Sequence, residues 1–119
     1  MTLLAFMLAA SANAAPAEAV TEFLNSVRAD DRAAYSRLAP DLQWEIPGGL
    51  KLHADFEDVS LFAKGCDPFV LGEPQATGRD GSVRVGAAVV CRAKGPHPLA
   101  FEFVVRDGTV LSYLVKEAN

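Results

Sequence analysis

Few residues in this chain combine a reactive type with a spacing that chemistry could use. His53 and Asp55 stand two apart at what reads as the start of a helix, and an Asp that orients a His makes a general base titrating near neutrality. The same pair fits a plainer account, in which Asp55 caps the helix and His53 is a solvated loop residue. His97 lies between Pro96 and Pro98, in a rigid turn facing solvent. Tyr35, Trp44 and Tyr113 are amphipathic aromatics on faces that should point inward. Each could line a pocket with a hydroxyl or indole N–H as its polar contact, or be core with one satisfied hydrogen bond. With Phe62 and Phe101 they make up the pocket candidates. Asp41 and Glu45 have no sequence neighbour that would tune them, which leaves them at a pocket mouth at most. Pro47-Gly48-Gly49 lacks the lysine and helix start of a phosphate loop, and no serine or cysteine nucleophile motif is present. No metal and no cofactor is expected.

The two cysteines, Cys66 and Cys91, have no His or further Cys at metal-ligand spacing. Their reading depends on compartment. Residues 3–10 form an apolar run too short to cross a bilayer, which takes about 20 residues. Ser11 and then Ala12-Asn13-Ala14 follow, an A-x-A cleavage pattern. Residues 1–14 are therefore expected to be a signal peptide, with a domain over 15–119 that is secreted or periplasmic. The leader has no Lys or Arg ahead of its apolar run, so either the true start lies upstream or the leader is a weak one. The competing reading makes this segment an extension of the first helix. In an oxidising compartment an even count predicts one disulfide, Cys66–Cys91, against two buried free thiols as the alternative. No integral membrane segment would remain after cleavage.

Half of the residues are apolar and 22% are charged, as in a globular core rather than a disordered chain. The formal net charge is −4 and no basic stripe occurs, which argues against nucleic acid as a partner.

The elements that must position these side chains follow from periodicity. Pro16 suits a first helical turn. Val20, Phe23, Leu24 and Val27 recur at i, i+3, i+4, i+7, an amphipathic helix. Asp30-Asp31 offers a cap for a short second helix carrying Ala34, Tyr35 and Leu38, stopped by Pro40. Leu42, Trp44 and Ile46 alternate as a strand, and residues 50–52 pair briefly after it. A third helix is predicted from Asp55, with Phe56, Val59 and Phe62 inward and Gly65 as its stop. Residues 66–77, broken by Gly72 and Pro74, read as an irregular or edge strand. Residues 82–117 read as a three-stranded meander, with turns at Lys94-Gly95-Pro96 and Asp107-Gly108. Its inward residues run Val83 to Cys91 by twos, then Leu99, Phe101, Phe103 and Val105, then Leu111, Tyr113 and Val115. The other face carries Gly86, Ala88, Val90, Val104, Val110 and Leu114, edged by Arg84, Arg92, Glu102 and Arg106. An apolar stripe rimmed by charge fits a homodimer interface. The class is α+β, with N-terminal helices packed on a curved antiparallel sheet.

This order of two helices, a strand over 42–46, a short helix and a long meander resembles the nuclear transport factor 2-like superfamily. Ketosteroid isomerases and polyketide cyclases are among its members. The resemblance implies a cone-shaped, cystatin-like domain with a pocket between sheet and helices. In the isomerase branch a catalytic Asp follows the first strand, often as Glu-Asp-Pro. Here the tripeptide is Glu45-Ile46-Pro47, so isoleucine occupies the base position. That branch also has an acid on a late strand, where Glu102 alternates away from Phe101 and Phe103. The resemblance therefore implies the fold without that branch's carbon-acid chemistry.

The expected protein is an exported, non-catalytic domain binding a small apolar molecule or a protein partner. The alternative is an isomerase, dehydratase or cyclase using His53 and Asp55. A third possibility is an envelope protein whose pocket is filled by its own side chains.

Overall fold

The computed structural model describes residues 2–67, 69–77, 80–91 and 98–117. His97, Arg79, Arg92 and the Lys94-Gly95-Pro96 turn lie outside them. Three helices, α1 (Thr2–Arg28), α2 (Arg32–Leu38) and α3 (Phe56–Gly65), pack on one face of a sheet. Its strands are β1 (Gln43–Ile46), β2 (Leu50–His53), β3 (Val70–Leu71), β4 (Gln75–Ala76), β5 (Val83–Val90), β6 (Pro98–Arg106) and β7 (Thr109–Glu117). The sheet is curved and unclosed. Its order is β2-β1-β7-β6-β5-β3, with β4 also on β5. Neighbours are antiparallel except β1 and β7, which run parallel. That junction brings the first strand against the last, so the sheet is mixed where the sequence suggested antiparallel pairing throughout.

Local chemistry explains the helix ends. Asp31, not Asp30, caps α2, its carboxylate accepting from the Ala34 N–H at 3.1 Å. Asp30 instead takes a left-handed φ of 56° to turn the chain between helices. Asp55 and Asp58 form a reciprocal capping box on α3, each carboxylate accepting the other's backbone N–H. The helix expected to begin at Pro16 begins at Thr2 and runs through it. The alanine-rich sequence on both sides is strongly helix-forming and carries the helix past the proline.

The covered face of the sheet is set by β6. Phe103 meets Phe23 of α1 edge-on at 6.3 Å, and Phe23 stacks on Tyr35 of α2 at 5.6 Å. Tyr35 in turn meets Phe56 of α3 at 5.2 Å, so one aromatic chain ties all three helices to the sheet. Val20, Val27, Val85 and Val105 fill the space around it and are fully buried. Arg28 fastens the C-terminal ends of α1 and α3, its Nε donating to the Ala63 carbonyl at 2.8 Å.

The last hairpin departs from simple alternation. Asp107 and Gly108 both adopt positive φ, the two-residue turn that suits the twist of a hairpin. Val105 then pairs with Val110 but Val104 with Ser112, leaving Leu111 as an extra residue. This bulge reverses the expected facing of two side chains. Val110 is fully buried on the helix side, and Leu111 lines the opposite face.

Cys66 and Cys91 form a disulfide that joins the end of α3 to the end of β5 across 25 residues. Closing such a loop restrains the unfolded chain by roughly 3–4 kcal/mol. We expect reduction by a thiol to lower Tm by more than about 10 °C, as read by circular dichroism. An unchanged melt in a demonstrably reduced sample would contradict that contribution.

Candidate functional site

Phe101, one pleat from Phe103, faces a part of the sheet that α1 does not reach. There α3 lies over β6 and β7 and leaves a cavity of about 510 Å³ open to solvent. The sheet contributes Trp44 from β1, Leu99 and Phe101 from β6, and Tyr113 and Val115 from β7. The helix contributes Asp58, Leu61, Phe62 and Gly65, and the disulfide closes one wall. Trp44 reaches the site because β1 pairs in parallel with β7, placing Trp44 beside Tyr113. Phe62 packs on Phe101 at 4.7 Å and on Tyr113 at 5.2 Å, and these rings form the floor.

The rim is apolar too. Leu61 is 80% exposed, Trp44 41% and Leu52, its cross-strand partner on β2, 43%. Leu50 pairs with Ile46 on the same side and extends this apron. Large apolar side chains held this far into water, next to a concave site, form a contact surface rather than core.

Tyr113 supplies a polar contact in the cavity. Burial, then the negative charge of Asp58, pushes its hydroxyl up to about 12, so it remains a neutral donor at any physiological pH. Of the five pocket candidates, Trp44, Phe62, Phe101 and Tyr113 line this cavity. Tyr35 does not. It is buried between Phe23 and Phe56, and its hydroxyl has no partner among the described residues. Burial also pushes this phenol up to about 12, with Asp55 and Asp58 adding to it.

His53 and Asp55 are not among the cavity's lining residues. His53 pairs with Gln43, whose row on the sheet faces away from Trp44 and Tyr113. Asp55 is occupied as the cap of α3, where the Asp58 N–H and further hydrogen bonds hold its carboxyl below the usual range. Asp41 and Glu45 line a separate polar cleft on that other face.

The outward face is also less apolar than its alternation suggests. Glu102 stands between Gly86 and Leu114, at the centre of the stripe and not on its edge. Arg84 lies 3.8 Å from Glu102 and 3.9 Å from Glu45, and the Ser112 hydroxyl donates to Glu45 at 2.9 Å.

Sequence reasoning missed Asp58, Leu61, Leu99 and Val115. A signal for the helical part was present: 58, 61, 62 and 65 recur at i, i+3, i+4, i+7, beside the core stripe of Phe56, Val59 and Ala63. Leu61 on a stripe not needed for the core marks a second apolar surface.

The sequence matches no protein-family model and no curated protein. Solved structures do match. An NTF2-like protein of unknown function from Cytophaga hutchinsonii superposes with a TM-score of 0.52 at 13% identity, covering 84% of this chain and 87% of its own. The chain has the nuclear transport factor 2-like fold. The epoxide hydrolase/cyclase-like enzyme SalBIII, of pyran ring formation in the polyether salinomycin, shares this fold at a TM-score of 0.56 and 16% identity, with 85% and 88% covered. A de novo designed protein with a curved β-sheet has it at 0.53 and 17% identity, with 85% and 83% covered. An enzyme and a designed chain thus share the nuclear transport factor 2-like fold, and its function has to be argued from the cavity.

Both tyrosines of the chain are held above the unfolded value of about 10. The stabilisation this represents is whole below that value and is lost as pH rises through about 12. We expect almost no phenolate absorbance in the folded protein near pH 10, and about half of the full signal at that pH in denaturant. A phenol titrating normally in the folded chain would mean that one ring is in water.

Proposed function

We propose that this chain is an exported, non-catalytic binding domain whose cavity beneath Trp44 takes a small apolar molecule. The observation that carries the reading is the wall chemistry: aromatic and aliphatic side chains around about 510 Å³, with the neutral Tyr113 phenol and the Asp58 carboxylate as placed polar groups. That combination, mostly apolar with few placed polar groups, is what small-ligand sites are made of. An acid–base reaction would need a titrating group in reach of the ligand. The carboxylate that does line the cavity, Asp58, is engaged in the capping box of α3, where it accepts the Asp55 N–H. The His53–Asp55 pair does not face the cavity, and Ile46 occupies the position of the isomerase base.

Binding is tested with Nile red, a neutral dye that brightens in apolar sites. We expect saturable enhancement at one dye per chain and quenching of Trp44, the single tryptophan. Leu61→Asp should weaken the dye several-fold while changing stability by less than about 0.5 kcal/mol, because the side chain is at the exposed rim. Unchanged dye affinity in Leu61→Asp would place the dye elsewhere and remove support for this site.

Export is supported by the leader pattern over 3–14 and by the disulfide. It is supported also by Pro16, which inside a helix costs about 3 kcal/mol. Cleavage after Ala14 would leave Pro16 in the first turn, where a proline costs nothing. Among the described residues, no helix is long and apolar enough to cross a membrane. Expressed with its leader in a bacterium that has a periplasm, the protein should be recovered there with Ala15 as its N-terminus. Recovery of the full chain in the cytoplasm would overturn export.

A further inference from the structure

The cavity's walls select for shape and greasiness, but its charge selects for sign. We infer that the ligand is a cation: an amine or quaternary ammonium on an apolar body, with its positive head between the aromatic rings and Asp58. This rests on the cavity being a binding site, as proposed above, and adds the class of molecule.

Among the described residues, Asp58 is the charged side chain lining the site, and no Lys, Arg or His lines it. One oxygen of its carboxylate accepts the Asp55 N–H at 3.0 Å, which fixes the group's direction. The other has no protein donor among the described residues. Of the described cations around α3, Arg28 sits at the opposite end of the helix from Asp58, donating to the Ala63 carbonyl and lying over Phe69 at 5.8 Å. Arg32 pairs with Glu57 at 2.8 Å and lies over the Phe56 ring at 4.1 Å, and Lys64 pairs with Asp30. What remains at this end of α3 is two carboxylates, Asp55 and Asp58, against a helix terminus worth about half a positive charge. The balance is negative. The field reaches the cavity, because both carboxylates raise the Tyr113 hydroxyl.

The rings add to this. Trp44, Phe62, Phe101 and Tyr113 border one space, with the Phe62 centroid 4.7 Å and 5.2 Å from those of Phe101 and Tyr113. A cation within about 6 Å of such ring faces is drawn to them, more strongly as water is excluded. A carboxylate ligand would meet Asp58 with only the neutral donors of Tyr113 and Trp44, among the described lining residues, to offset it. A neutral ligand would fit the walls and gain nothing from the field.

The test is a matched pair of probes read by Trp44 emission. One is phenethyl-trimethylammonium; the other is its carbon isostere, with tert-butyl in place of trimethylammonium. The cation should bind about tenfold more tightly. Asp58→Asn, which keeps an oxygen for the Asp55 N–H, should remove most of that preference and leave the isostere's Kd unchanged. Glu57→Gln removes an equal charge that does not line the cavity and should shift the cation's Kd less than twofold. The inference is overturned if the isostere binds as tightly as the cation, or if Asp58→Asn weakens both probes alike. Nile red on the same sample separates the two levels. Dye binding without cation preference sinks the charge selection alone, whereas no binding by the dye or either probe sinks the cavity reading with it.

Discussion

Two phenylalanines on one face of β6 determine how the rest of the molecule is arranged. Phe101 and Phe103 stack nearly parallel, 6.1 Å apart, and each must be covered to leave water. Phe103 is covered completely, by Phe23 from the long first helix with Tyr35 and Phe56 behind it. Phe101 is covered by the shorter α3, through Phe62 and by Phe69 from the loop that follows it. One half of the covered face is therefore a filled core and the other a hollow. The disulfide sits at the hollow end, where fewer side chains are available to hold α3 on the sheet.

Much of this was legible beforehand, because the signals were local. The i, i+3, i+4, i+7 stripe of α1, the Asp55 cap and the Asp107-Gly108 turn depend on neighbours in sequence, and each is found in the structure. The two cysteines were read as a pair from their even count together with the leader pattern that implies an oxidising compartment. What was not legible depends on distant partners. Whether Tyr35 fills core or lines a pocket is decided by where α2 docks, and Phe23 and Phe56 sandwich it far from the opening. The parallel pairing of β1 with β7 joins residues nearly seventy positions apart, as in Gln43 with Ser112, and no periodicity in either strand announces it. Leu99 and Val115 read as inward and are inward. That the space above them stays open follows from where α3 ends, at Gly65, and from no property of their own.

The two faces of the sheet divide polar from apolar work. The covered face carries the phenylalanines and tyrosines, while the other gathers Glu45, Arg84, Glu102 and Ser112 into a bonded cluster. The ion pairs are half-buried but long, at 3.8 and 3.9 Å, and add little to stability. They keep the outer face wetted and so leave the rim around Trp44 and Leu61 as the place where large apolar side chains gather in water.

The extra residue in β7 bears on how such a hollow arises. With Leu111 set aside, the pairs on either side, Val105 with Val110 and Val104 with Ser112, already follow one unbroken register. A chain lacking that residue would present the same side chains to the same faces on a flatter ribbon, since a bulge bends and twists the strand that holds it. Bending and facing are thus written at separate positions. A lineage could deepen or flatten the hollow by gaining or losing one residue there, without rewriting the pattern that builds the core.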